Sequence, residues 1–172
     1  MGYKLICLLV ILSLPFSLAA AEMAQKDIVV IARTISLIKN GPTGNVRLAV
    51  IKGNAPQHEA EAFVTLINNS KAVGDITLNA VYAAPSDITA SKSQAILIPE
   101  GIDQQTMEAA FRIAQEQKLI ILTTSEVCLN EQKCAIYFKS NPAVDIRMSQ
   151  SAAKETGVSF DSAMRMMIKE VP

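Results

Sequence analysis

The apolar residues along the chain change their period several times, and the changes mark its elements. Over residues 24–39, Ile28, Ile31, Ala32, Ile35 and Ile38 return at the spacing of one helical face, and Asn40-Gly41-Pro42 ends the run. Val29, Val30 and Leu37 lie off that stripe, so this helix is either deeply buried or shared with a partner. A strand is predicted over residues 46–51, then a helix over 57–68 with Ala60, Phe63, Val64 and Ile67 on one side. Strands follow over 76–82 and 94–99, the second after a short connection opened by Pro85-Ser86-Asp87. Asp103 caps a helix that buries Met107, Ala110, Phe111 and Ala114 and runs to Gln117, and residues 119–122 form a fourth strand. Continuous apolar strands that alternate with amphipathic helices indicate parallel strands covered on both faces. The predicted fold is a Rossmann-like three-layer α/β sandwich with a mostly parallel sheet.

The last third breaks this rhythm. Residues 134–139 and 144–148 read as two strands joined through Ser140-Asn141-Pro142, which predicts a C-terminal antiparallel edge hairpin. In the second strand Val144, Ile146 and Met148 alternate with Asp145, Arg147 and Ser149, which gives one buried and one wet face. A helix is predicted over 149–155, stopped by Gly157. A final helix is predicted from a cap at Ser159, with Phe160, Ala163, Met164, Met167 and Ile168 on one stripe.

Half of the 172 residues are hydrophobic and the mean hydropathy is +0.27, so the location of the surplus matters. Much of it lies at the front. One Lys precedes an apolar core over residues 5–16, and Ala19-Ala20-Ala21 supplies the small residues that a signal peptidase reads. That core is shorter than the roughly 20 apolar residues of a membrane span. Residues 1–21 are therefore expected to be a removed secretory leader, and residues 22–172 a single domain. Removal takes only Lys4 from a balance of 16 basic and 16 acidic residues, so no surplus of positive charge exists to bind nucleic acid.

An exported chain changes the meaning of its cysteines. Cys128 and Cys134 remain behind the leader, an even and closely spaced pair that reads as a disulfide. A metal site normally wants four ligands, and the single His, His58, is distant in sequence. Closing so short a loop contributes only about 2 kcal/mol through chain entropy, so its main effect is local.

No cofactor or catalytic motif emerges. The turn after the first strand, Lys52-Gly53-Asn54-Ala55-Pro56, lacks the glycines of a dinucleotide or P-loop site. No G-x-S-x-G elbow occurs, and His58, beside Gln57 and Glu59, reads as a surface residue. Glu100 and Asp103 stand just past the third strand, where α/β folds bind ligands, but a helix cap explains Asp103. An enzyme is not expected. Surfaces remain, and Tyr137, Phe138, Ile146, Met148 and Met166 are the candidate contact residues. Tyr137 and Met166 lie off the predicted buried stripes, whereas Phe138, Met164 and Met167 fit a core.

The order of elements resembles the YfiR-like (YfiR/HmsC) family of periplasmic proteins. The resemblance rests on Cys128-x5-Cys134, then Ile136-Tyr137-Phe138, then Val144-Asp145-Ile146-Arg147-Met148. Ala152-Ala153, Gly157-Val158-Ser159-Phe160 and a terminal apolar helix complete it. It implies a non-enzymatic periplasmic regulator without cofactor, stabilised by the disulfide and able to form a homodimer. Such proteins restrain a membrane-bound diguanylate cyclase, hence cyclic di-GMP signalling, or serve a sensor histidine kinase, through the periplasmic part of that partner. The alternative is a small periplasmic solute-binding protein associated with a transporter, suggested by the strand and polar edge over residues 119–125.

Overall fold

The structure is a computed structural model, and it describes residues 17–53 and 58–171. The elements are α1 (Ser17–Ser36), β1 (Gly44–Ile51), α2 (His58–Asn68), β2 (Ile76–Ala83) and α3 (Ile88–Ser91). Then come β3 (Ala95–Ile98), α4 (Gln104–Gln117), β4 (Ile120–Thr123), α5 (Glu126–Asn130) and β5 (Ile136–Lys139). β6 (Asp145–Ser149), α6 (Gln150–Glu155), α7 (Ser162–Met167) and β7 (Lys169–Val171) complete the chain. The expected leader lies outside the described residues as far as residue 16; its last five residues fall in the first turns of α1.

The strands form one sheet in the order β2-β1-β3-β4-β5-β6-β7. β2 through β5 run parallel, β5 and β6 are antiparallel, and β7 lies parallel to β6. The predicted α/β sandwich is therefore the observed one. Every residue of β3 and β4 is buried, which requires cover on both faces of the sheet. α1 packs beside α2, and α4 packs on β3 and β4. On α1, Ile28, Ile31, Ala32 and Ile35 are buried at helical spacing, while Val29 and Val30 are half-buried. The α4 cap also forms as expected, with Asp103 Oδ1 accepting from the Thr106 amide at 2.9 Å. Those hydrogen bonds from Thr106 hold the Asp103 carboxyl below its ordinary pKa.

Two expectations are corrected at the C-terminus. The hairpin is not the edge of the sheet, because β7 pairs along the outer side of β6. The final helix does not start from Ser159 either; it spans only Ser162–Met167, and the chain then turns extended. Tertiary pairing decides this. The Lys39 amide donates to Ser159 O and the Asp161 amide to Leu37 O, which holds Phe160 in an antiparallel bridge with Ile38. An extended Phe160 fills the core at 3 % exposure, and the helix can begin only after it.

The outer strand β2 is guarded. The Ala80 amide donates to Asn68 Oδ1 at 2.8 Å, and Asn68 Nδ2 donates to Ala80 O at 3.0 Å. Val73 makes the same reciprocal pair with Ile76. Side chain and loop thus occupy backbone groups that another chain's strand would use. Asn68→Ala should cost about 1–2 kcal/mol in a denaturant titration and promote self-association. Unchanged stability with unchanged light scattering would show that the edge needs no such guard.

Candidate functional site

Three parallel strands, β3, β4 and β5, end on the same side of the sheet, and hydroxyl groups bind their loops together. Thr123 Oγ1 donates to Ile98 O at 2.7 Å, and the Glu100 amide donates to Thr124 Oγ1 at 2.9 Å. Above these ends lies a cleft of about 340 Å³, reached by Asp27 from α1, Phe63 from α2, and the stretch from Tyr137 to Asn141. Glu100, Thr124 and Glu126 line it as well. Burial raises the Asp27 carboxyl above its ordinary pKa, and a hydrogen bond with Ser140 opposes that rise. Among the described residues, no three His, Cys, Asp or Glu side chains are grouped so as to hold a metal ion. The Glu100 singled out from sequence does reach this cleft, whereas Asp103 is occupied as the α4 cap. His58 opens α2.

Beside the cleft, α5 is tied to the hairpin in two ways. Cys128, on α5, is bonded to Cys134 with Cα atoms 5.4 Å apart, and both residues are fully buried. On the wet face of the hairpin, Arg147 stands opposite Tyr137 and its guanidinium lies 4.2 Å from the ring centroid. Arg147 Nη2 donates to Glu126 Oε1 at 2.6 Å, and its Nε sits 3.2 Å from Asp145 Oδ2. Tyr137 Oη also donates to Glu126 Oε1, at 3.4 Å.

This cluster explains why Tyr137 is not a surface residue. α5, which was not foreseen, comes close to the hairpin on that face, and Arg147 covers the ring, leaving Tyr137 only 2 % exposed. Phe138 and Met148 are buried too, so none of the three stands free in solvent. Ile146 is half-buried. Met166 alone of the candidate contacts stands out in solvent, at 83 % exposure. Sequence reasoning missed Arg147, although the predicted alternation already placed it on the same face as Tyr137. It also missed Val127, and Val144, expected on the buried face, instead precedes β6; each is 59 % exposed.

The Arg147 hydrogen bond and charge hold the Glu126 carboxyl below its ordinary pKa. A carboxyl depressed by folding stabilises the fold above its unfolded pKa and loses that contribution as pH falls through the folded value. Wild type should therefore melt above Glu126→Gln at neutral pH, with the difference shrinking as acidification passes below the ordinary carboxylate range. A difference that stays constant over that range would exclude the ionised pair as its source.

A second, larger recess of about 720 Å³ lies where β6 meets α6, the turn at Gly157 and α7. Met148, Ala153, Val158 and Phe160 supply its apolar lining, and Lys154 and Arg165 its charges.

No known family profile matches the chain, and no curated protein is similar to it. Among solved structures, it is similar to a conserved domain protein from Vibrio cholerae O1 biovar El Tor, with a TM-score of 0.60 at 13 % identity. The match covers 87 % of this chain and 60 % of that one, so the chain spans less than two thirds of its structural relative. At that identity the likeness concerns the fold.

Proposed function

We propose that this chain is an exported, non-enzymatic regulatory protein that acts by protein–protein contact. On this reading its partner is the periplasmic part of a membrane-bound diguanylate cyclase or sensor histidine kinase, as the likeness to YfiR-like proteins implies. The observation that carries the reading is where apolar surface is left over. The large hydrophobic residues that stand exposed among the described residues are Val127, Val144 and Met166, and all follow β4. Val127 adjoins Cys128 on α5, Val144 precedes β6 and Met166 is on α7, while the preceding βα units keep the large apolar side chains described there covered or half-covered. Uncharged apolar side chains, Met among them, are what the centre of a protein–protein contact uses.

The test is made in the source cells. Deleting the protein should change cyclic di-GMP level or kinase output, and returning it with Val127→Asp and Val144→Asp should fail to restore the original level. Full restoration by that folded variant, or no change on deletion, would overturn the reading.

A second reading, a small-solute-binding protein, is favoured by the cleft at the strand ends. Its position is the usual one for ligands in α/β sheets, and its 340 Å³ suits a small polar molecule. A rise in Tm with an amino acid or sugar, lost in Thr124→Val, would support that reading over the first.

A further inference from the structure

The recess at β6, α6 and α7 differs from the cleft at the strand ends in the sign of its charge. Its lining contains no Asp or Glu. Its floor is Met148, Ala153 and Phe160, each under a tenth exposed, and its ionic groups are the exposed Lys154 and Arg165. Of the acids beside it, Glu155 and Glu170 are hydrogen-bonded, while Asp161, next to Phe160, makes no side-chain cap on α7. Glu155 accepts from Gln115 and from Ser151, and Glu170 accepts from Gln150. Glu170 also lies 3.9 Å from Arg165, at the limit of an ion pair, while Lys154 makes no ion pair among the described residues. The recess is a trough open to solvent, and α7 also carries Met166 at 83 % exposure beside Arg165.

We propose that this trough is a docking site for an acidic segment of a partner protein, anchored by apolar side chains between its carboxylates. The inference rests on the contact reading above and adds to it a second location, apart from Val127 and Val144, and a partner chemistry. Charge complementarity selects the occupant: an apolar floor takes the anchors, and Lys154 and Arg165 select and orient the carboxylates. A basic segment would meet two cations and no lining acid. Arg165 would exchange its long contact with Glu170 for a closer one with the incoming carboxylate.

The experiment uses the full chain and short fluorescent peptides that alternate Leu or Phe with Glu, with Gln or with Lys, read by anisotropy. The Glu peptide should bind at least about tenfold more tightly than the Lys peptide, with added salt reducing the difference. The double variant Lys154→Glu/Arg165→Glu, with unchanged Tm, should reverse the order. Met166→Asp should weaken the Glu peptide severalfold. Equal binding of the three peptides, or a preference that survives the double reversal, overturns the docking site. The two proposals fail separately. Peptide preference without any effect of the protein on cyclic di-GMP or kinase output removes the regulatory reading alone. Regulation that persists in the double variant removes the trough alone.

Discussion

Phe138→Ala should lower Tm by roughly 10 °C, from a loss of about 3–5 kcal/mol. Phe138 is completely buried on β5, where it pairs with Ile146, and β5 lies against α1. Removing the ring leaves a void that flanking strands cannot close without breaking ladder hydrogen bonds. Met166→Ala, at an exposed position on α7, should stay within about 0.5 kcal/mol of wild type. The comparison separates two roles that the sequence had grouped. Any loss of partner contact in Phe138→Ala should track unfolding, whereas loss in Met166→Asp should occur in a folded protein. Calorimetry beside a binding assay reads both. A Phe138→Ala protein that melts like wild type would mean that the aromatic residue does not build the core.

The double variant Cys128→Ala/Cys134→Ala should melt roughly 4–8 °C below wild type, corresponding to about 2 kcal/mol for so short a closed loop. The effect should be local as well as global. The bond joins α5 to the residue pair before β5, and the remaining fastening of α5 to the hairpin is the Glu126–Arg147–Tyr137 cluster. Amide exchange should therefore rise most over residues 126–135, ahead of the parallel strands β1, β3 and β4. Reduced wild type should behave like the double variant. An unchanged Tm in both would exclude a redox contribution to the behaviour of this region. Because both cysteines are buried, reductant must wait for local opening, so the double variant gives the cleaner equilibrium measurement.

Local and global rules agree through the first two thirds of the chain, which is why that part was legible. Strands such as Ile96-Leu97-Ile98 and Ile120-Ile121-Leu122 are apolar throughout, and only a doubly covered parallel sheet accommodates them. The α4 cap at Asp103 is a four-residue feature that needs no tertiary partner. After β4 the local signals lose their authority. Ser159 is a good helix cap by type, yet backbone pairing with the end of α1 keeps residues 159–161 extended. Tyr137 occupies the wet face by period, yet Arg147 and α5 cover it. The alternation places Val144 on the buried face, yet it stands exposed just ahead of β6, and Val127 carries no sequence signal, because a valine's exposure depends on what fails to pack against it.

The sequence by itself determined the α/β class, the order of the parallel strands' elements, the cysteine pair and the absence of a phosphate-binding glycine loop. These follow from periodicity and short-range spacing, which act within a few residues. The tertiary structure alone decided that β7 shields the hairpin, that Tyr137 belongs to the interior, and that Lys154 and Arg165 flank one apolar trough. Those facts depend on pairing and packing between separate elements, Tyr137 with Arg147 and Ile38 with the Phe160 that floors the trough, and no local pattern encodes such contacts.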